Sequence, residues 1–546
     1  MYFFNINLHI HIFIDFSMHT HYILKEKSLP FASHSKSLLV MATSSILIAW
    51  ITIVAFLVRA LIRAITSSRT KSHQLPGPPS LPIIGHLHLL SSSLPKSLQN
   101  LASRYGPIMQ IFMGGKPVVV ISDPIIAKEI LKTHDVDFAS KYILGFGLSK
   151  FNMYDGCSFI NSQYGPYWKF MKKLCKTQLF AGPQLDRFIH IREQETLKLL
   201  KSLVARSGEG EPCDLGMELS NLANNVLCEM AVGKRCAENP NLPMEIRKSI
   251  MAIMESTAKL SFTQVFGPLK KFDLSGHGKR LISVTLEYDQ LLERLFKEYE
   301  DNQMNDSGQE EKDVIDILLG TYRDTSAELR ITRNQIKTFF LEIFTAGVDS
   351  TAASIQWAIA EVINNPEILK KLREEIHSKV GSNRVVKESD IPNLPYLQAI
   401  VKETLRKYPA GPLLRRESNI DTNLNGYDLK AGTKILINAY AIMQDPNIFK
   451  EPEKFIPERF LVDHQEMDFY GQGFHFLPFG SGRRACIGQS HALTVTYTTI
   501  ASLIQCFDWK LKDGEKFDVK LTSGYSGAMA VPLVCYPIIR FDPFKV

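Results

Sequence analysis

The residues best suited to chemistry lie near the C-terminus, where the chain reads Phe476-Leu477-Pro478-Phe479-Gly480-Ser481-Gly482-Arg483-Arg484-Ala485-Cys486-Ile487-Gly488. Phe479, Gly482, Arg484, Cys486 and Gly488 make the spacing Phe-x-x-Gly-x-Arg-x-Cys-x-Gly. A loop of this kind can hold one thiolate against a haem iron. Such a ligand needs a dry, rigid support with backbone N–H groups aimed at sulfur, because those hydrogen bonds and the burial set the redox potential. The glycines allow close backbone approach, and Arg484 can neutralise a haem propionate. A helix expected over 489–504 would place Cys486 near a helix N-terminus and favour the anionic sulfur. The bland alternative is a buried cysteine in a Gly-rich turn, which has no need of the arginine or of both glycines.

A second constellation needs a long helix to present it. Thr332 with Gln335 predicts a capping box, an apolar helical pattern runs over 336–363, and Asn364-Asn365-Pro366 stops it. Inside lie Ala346, Gly347, Val348, Asp349, Ser350 and Thr351. Small residues let a flat cofactor approach the backbone, and an acid beside a hydroxyl can relay protons. A hydroxyl bonding back into the helix can also open it locally. A core helix with one glycine and a solvated Asp349 is the plainer alternative. Glu403 and Arg406, three apart, project from one face of a predicted helix, a spacing that more often marks a surface pair. Trp168 precedes Lys169, Lys172, Lys173 and Lys176, which share a helical face and serve either solvation or the docking of an acidic electron donor.

Together these motifs resemble the cytochrome P450 superfamily, in its plant microsomal A-type, over about residues 41–546. The resemblance implies a mainly α fold with a smaller β region, the cytochrome P450 fold behind an N-terminal transmembrane helix. It implies haem b, O2, and NADPH-derived electrons from a partner NADPH-cytochrome P450 reductase. Asp349, Ser350 and Thr351 then take the catalytic role, with Cys486 as the axial ligand of the iron. Trp168, Lys172, Arg416, Phe479 and Arg484 contact the cofactor, and Glu403, Arg406 and Arg459 form a buried scaffold. Three departures stand out. Ser350 replaces a usual threonine and lacks the methyl that restrains its rotamer; Ile487 replaces a proline after the cysteine; Gln444 replaces an arginine before Asp445-Pro446.

Bulk composition is compatible with this reading. No polar linker or repeat interrupts residues 85–540 of the 546, so one large domain with a big core is expected. The 63 basic and 56 acidic residues give +7, too modest and dispersed for nucleic acid but suited to an anionic membrane face or acidic partner. The eight cysteines show no Cys-x-x-Cys spacing, which argues against zinc and a disulfide scaffold. Gly480-x-Gly482-x-x-Ala485 imitates a dinucleotide fingerprint without the strand-helix-strand unit, so a nicotinamide is not expected to bind directly.

Residues 38–58 carry no charge and are long enough to span a bilayer; Arg59, Arg63, Arg69 and Lys71 follow and set the C-terminal side as cytosolic. The expected organisation is a non-native extension at 1–37 with Met41 as the initiator, an anchor at 38–58, a basic and Pro-rich hinge at 59–85, and the haem-thiolate domain at 86–546, on the endoplasmic reticulum membrane. By resemblance the substrate pocket draws on 146–162, 339–350, 410–414 and 525–529, with Phe344, Leu413, Leu414 and Met529 as apolar walls. The segments 266–273 and 313–319 resemble plant members that oxidise terpenoids and flavonoids, and a terpenoid or triterpenoid is favoured. An oxygen-independent haem-thiolate isomerase or dehydratase and a non-catalytic haem-binding protein are the alternatives; Asp349 and Ser350 argue against the former, which needs no proton relay to oxygen.

Overall fold

The computed structural model describes residues 50, 51, 54 and 75–545, except 82–83, 92, 143–152, 155, 181, 234–238, 264–275, 304–312, 463–467, 470–472, 512–515, 518–528 and 530. Two units are distinguished, Met1–Lys71 and Ser72–Val546. In the first, Trp50, Ile51 and Val54 are helical and exposed. The rest of the expected anchor, the 1–37 extension and the hinge up to residue 74 lie outside the described residues. So do 266–273, 146–152 and, of 525–529, all but Met529. Among the described residues no helix is long and apolar enough to cross a membrane.

The second unit is mainly helical. The helices that build the site are α1 (Pro166–Leu174), α2 (Ile189–Glu209), α3 (Leu215–Val232), α4 (Leu242–Thr263), α5 (His277–Gln303), α6 (Arg333–Asn364), α7 (Pro395–Lys407) and α8 (Gln489–Cys506). The strands are β1 (Ile108–Met113), β2 (Lys116–Ile121), β3 (Cys213–Asp214), β4 (Leu413–Glu417), β5 (Thr422–Leu424), β6 (Tyr427–Leu429), β7 (Lys434–Asn438), β8 (Phe507–Leu511) and β9 (Val534–Ile539). They form sheets of order β1-β2-β7-β4, β3-β9-β8 and β5-β6. Among the described residues only β2 and β7 pair in parallel, and the long helical stretch between them supplies the crossover that such pairing requires.

Helix α6 is the axis of the unit and its ends follow the local signals. Thr332 Oγ1 accepts from Gln335 N at 3.2 Å, and Gln335 Oε1 accepts from Thr332 N at 2.8 Å. The helix stops at Asn364, and Pro366 opens the next one. Its first half, including Ile336, Phe339, Phe340, Phe344 and Val348, joins a core with α4 and α5. Its second half, including Ala352, Ile355, Ala358 and Ile359, joins another core with α7 and α8. Residues 346–351 fall at the changeover between the two. Gly347 packs closely on α3: a Cβ there would stand 2.8 Å from Leu227 Cδ1, which would have to turn aside.

The Pro-rich segment from residue 75 is tied to the sheet. Gln110 N donates to Pro76 O at 2.7 Å, and Gly85 bridges Met113. A Cβ on Gly77 would meet Gln110 O at 2.2 Å, so this close approach requires glycine.

Candidate active site

The cysteine loop connects the short helix Gly482–Arg484 to α8. Gly482 has φ +74°, and a Cβ on it would lie 2.3 Å from Leu131 O, so only glycine fits both demands. Gly488 has no protein atom within 4 Å of its would-be Cβ; its contribution is an N–H that bonds to the Cys486 sulfur. Cys486 N donates to Phe479 O at 3.0 Å and closes the loop. The thiol is enclosed by protein, yet its surface is accessible because it faces an internal cavity of about 430 Å³. Burial pushes the Cys486 thiol up; the Gly488 N–H and the charges of Lys172 and Lys141 pull it down. Helix α8 begins at Gln489, so the sulfur sits just ahead of a helix N-terminus, as expected.

The cavity is lined by Trp168 and Lys172 of α1, by Ile343, Ala346, Gly347, Ser350, Thr351 and Ser354 of α6, by Leu414, and by Phe479, Arg484 and Cys486. Phe159, Ile160, Leu405 and His491 complete much of the wall, and no acidic side chain is among the described residues lining it. Leu414 is therefore a wall residue as expected. Phe344, Leu413 and Met529, expected beside it, are not among the described residues lining the cavity; Phe344 is buried in the core that α6 shares with α4 and α5, and Leu413 and Met529 each pack partly buried against a hydrophobic core.

One side of the cavity concentrates buried cations. Arg484 donates from Nε to Ala139 O at 2.5 Å and from Nη2 to Ser162 O at 2.6 Å, and stacks over Trp168 with 4.4 Å to the ring centroid. Its Nη1 is buried and has no partner among the described residues. Lys172 Nζ donates to Ala485 O at 3.1 Å. Arg416, fully buried, donates to Arg415 O at 2.9 Å and Ser481 O at 3.3 Å; it stands behind the cysteine loop and is not itself a wall residue. Burial pushes Arg416 down to about 10 and Arg484 down to about 9. Lys141, which the sequence did not single out, lines the same side, and burial with the charges of Arg416, Arg415 and Arg484 holds its ammonium well below the usual lysine range. Asp135 offsets part of the Arg416 and Lys172 charge, but the remaining cationic excess in one low-dielectric place is costly unless an anionic group joins it. An orphaned guanidinium N–H, flanking ammonium groups and a cavity-facing thiol therefore fit a flat, dianionic cofactor such as haem.

The acid and hydroxyls of α6 are separated by the helix. Ser350 and Thr351 line the cavity, whereas the Asp349 side chain is 57% exposed and meets Arg247 of α4, Nη2 to Oδ1 3.4 Å. Ser350 Oγ donates back to Ala346 O at 2.5 Å, and Ser354 Oγ to Ser350 O at 2.8 Å, the back-bonding that loosens a helix locally. Asp349 thus faces solvent one residue away from a hydroxyl that faces the cavity.

Glu403, Arg406 and Arg459 come together as a buried triad. Arg406 Nε and Nη2 donate to the two Glu403 oxygens at 2.7 and 3.0 Å, and Arg459 Nε donates to Glu403 Oε1 at 3.1 Å. Glu403 and Arg406 are both 0% exposed. Arg406 also donates to Met443 O and Pro452 O, and Gln444 Nε2 donates to Arg406 O at 3.1 Å, giving the departure at 444 a structural use. Of the four lysines after Trp168, Lys172 turns inward while Lys169, Lys173 and Lys176 are exposed, so they do not form one uniform stripe. His491 is another residue the sequence reading passed over: burial pushes its imidazole down to about 3, keeping it neutral against Phe180 in the wall. Among the described residues no disulfide joins the cysteines.

A mainly helical unit with a thiol-bearing loop under a long central helix defines a haem-thiolate protein. Residues 75–532 match the family described as Cytochrome P450, and the chain belongs to that family. It is 41% identical over 487 residues to 3,9-dihydroxypterocarpan 6A-monooxygenase of Glycine max, covering 87% of this chain and 95% of that one. It is 39% identical over 500 residues to beta-amyrin 24-hydroxylase of Glycine max, covering 90% and 97%. A zebra fish cytochrome P450 solved with abiraterone superimposes with a TM-score of 0.68 at 25% identity, over 82% of this chain and all of that one. The protein is accordingly a plant-type cytochrome P450 monooxygenase that uses haem b, O2 and electrons from a redox partner.

Proposed function

We propose that this monooxygenase inserts one oxygen atom from O2 into a lipophilic plant specialised metabolite, a terpenoid or triterpenoid in preference to a flavonoid. The observation that carries the reading is the Cys486 sulfur facing an apolar cavity whose one charged side is cationic. Bound haem supplies O2 activation. The chain supplies the rest: Cys486 ligates the iron, Gly488 N–H bonds to the sulfur, and Phe479 covers the loop. Trp168, Lys172 and Arg484 hold the propionate side, with Lys141 beside them and Arg416 adding its charge from behind the wall. Asp349 exchanges protons with solvent, and the Ser350 and Thr351 hydroxyls present them inside the cavity. Glu403, Arg406 and Arg459 keep the segment under the cysteine loop in place.

The terpenoid reading draws on the apolar wall at Phe159, Ile160, Ile343 and Leu414, and on the similarity to an enzyme named for β-amyrin; the pterocarpan enzyme keeps a flavonoid as second choice. Electrons come from NADPH through NADPH-cytochrome P450 reductase. Residues 38–58 anchor the chain in the endoplasmic reticulum membrane, with 59–85 as hinge, 86–546 as the cytosolic catalytic domain, and 1–37 as a non-native extension. The test is a ferrous-CO spectrum of microsomes expressing residues 41–546. A red-shifted, thiolate-type Soret band that disappears in Cys486→Ser is expected, followed by NADPH- and reductase-dependent conversion of β-amyrin. Haem-loaded protein without that band would refute the ligand assignment.

A further inference from the structure

A partly buried acidic side chain beside the cavity has no part in the roles above. Glu342 lies on α6, one turn before Ala346, which lines the cavity. Its carboxylate receives three hydrogen bonds from one short segment: Ser158 Oγ donates to Oε1, Phe159 N to Oε2 at 2.9 Å, and Ile160 N to Oε2 at 3.1 Å. Phe159 and Ile160 are themselves cavity walls. The Phe159 ring also meets Phe339, one turn earlier on α6, at 6.2 Å.

No regular backbone ladder holds this stretch. Asn161 N donates to Ser158 Oγ at 3.0 Å, so Ser158 relays the carboxylate's hold to a fourth residue. Tyr167 OH donates to Cys157 O at 2.9 Å and fixes the other end. Burial pushes the Glu342 carboxyl up, while the three donors and the Lys141 charge pull it down. A carboxylate that accepts backbone N–H bonds in a largely dry place holds its donors about twice as strongly as a neutral acceptor.

We propose that Glu342, with Ser158, is a positioning residue that clamps segment 158–160 to α6 and thereby sets the shape of the cavity wall against which a bulky apolar substrate lies. The clamp determines how the substrate is oriented and leaves the ligation of the iron by Cys486 unchanged. It rests on the reading that this cavity takes haem and an apolar substrate; it does not depend on that substrate being a terpenoid.

The experiment compares two iron-ligating azoles on the full-length holoenzyme by Soret titration. Clotrimazole is bulky enough to press on Phe159 and Ile160; imidazole is too small to reach them. In Glu342→Gln, clotrimazole affinity is expected to fall about tenfold, the loss of roughly one hydrogen bond to a charged group, with imidazole affinity and the ferrous-CO band unchanged. Ser158→Ala, which removes one of the three donors, should give a smaller shift in the same direction and serves if Glu342→Gln folds poorly. Amide hydrogen exchange at Phe159 and Ile160 should accelerate in both variants. Equal changes for the two azoles, or unchanged exchange, would overturn the clamp. If neither azole perturbs the wild-type Soret band, the haem-cavity reading itself fails, and the clamp with it.

Discussion

Replacing Arg406 with alanine should cost the protein its haem. The guanidinium is wholly buried and each of its three nitrogens donates: two bonds go to Glu403, one to Met443 O at 2.9 Å, and two to Pro452 O and Lys454 O at 2.7 and 3.3 Å. Alanine leaves the carboxylate with Arg459 Nε and Ile456 N alone, and deprives three carbonyls of their donor. Breaking a buried, hydrogen-bonded pair costs about 3–5 kcal/mol, a large part of the roughly 5–15 kcal/mol that holds a domain together. At the lower figure the folded-to-unfolded ratio falls on the order of 100-fold. Because the affected carbonyls belong to the stretch leading to the cysteine loop, haem should be lost before secondary structure is. The assay is the ferrous-CO band per mole of protein, read along a urea series. Arg459→Ala should lose less, since Arg459 is 12% exposed and shares Glu403 through a single bond. Full haem occupancy and an unchanged urea midpoint in Arg406→Ala would refute the reasoning.

Asp349→Asn should leave stability within about 0.5 kcal/mol, because its pair with Arg247 is long and exposed, yet reduce turnover on the order of 100-fold if it feeds protons inward; turnover within twofold of wild type would exclude that role. For His491, burial holds the folded pKa at about 3, below the ordinary 6.5. Its contribution is therefore complete above pH 6.5 and is lost as the pH falls, by about 2 kcal/mol at pH 5. His491→Leu should flatten that acid limb in a pH series of urea midpoints. Arg484→Gln should speed haem transfer to apomyoglobin by about tenfold through loss of a charge-assisted bond; an unaltered transfer rate would show that the orphaned N–H does not serve the cofactor.

The parts legible in the sequence were those whose chemistry imposes fixed local spacing. The cysteine loop could be read because thiolate, arginine and glycine must recur at set intervals, and the φ of Gly482 shows why no other residue serves there. Both ends of α6 could be read because caps act over a few residues. Which side of α6 meets the cavity could not: the helix is apolar nearly all round, so periodicity carries no direction, and Ile343 rather than Phe344 lines it. Lys141 and Glu342 gave no sign because each is defined by residues far away in the chain. Lys141 looks like any polar loop residue until Arg416 and Arg484 fold against it. Glu342 looks like a polar break in a helix until Ser158 docks on it.

Segment 157–162 links these distant features. At its start Tyr167 and Glu342 bind it; at its end Arg415 Nη2 donates to Asn161 Oδ1 at 3.0 Å and Arg484 Nη2 donates to Ser162 O. The same arginine that faces the cofactor side therefore holds one end of the wall that α6 holds at the other. Groups sharing one short, stiff segment are not energetically independent. Loosening one end lets the segment adjust at the other, so the losses from Arg484→Gln and Glu342→Gln should not add in clotrimazole affinity, with an interaction of about 0.5–3 kcal/mol. Arg406, on the far side of the cysteine loop and without contact to the segment, supplies the control: Arg459→Ala, the milder lesion in its triad, combined with Glu342→Gln should be additive. Cofactor seat and substrate wall are in that sense one mechanical element, and its stiffness comes from side chains of four separate parts of the chain.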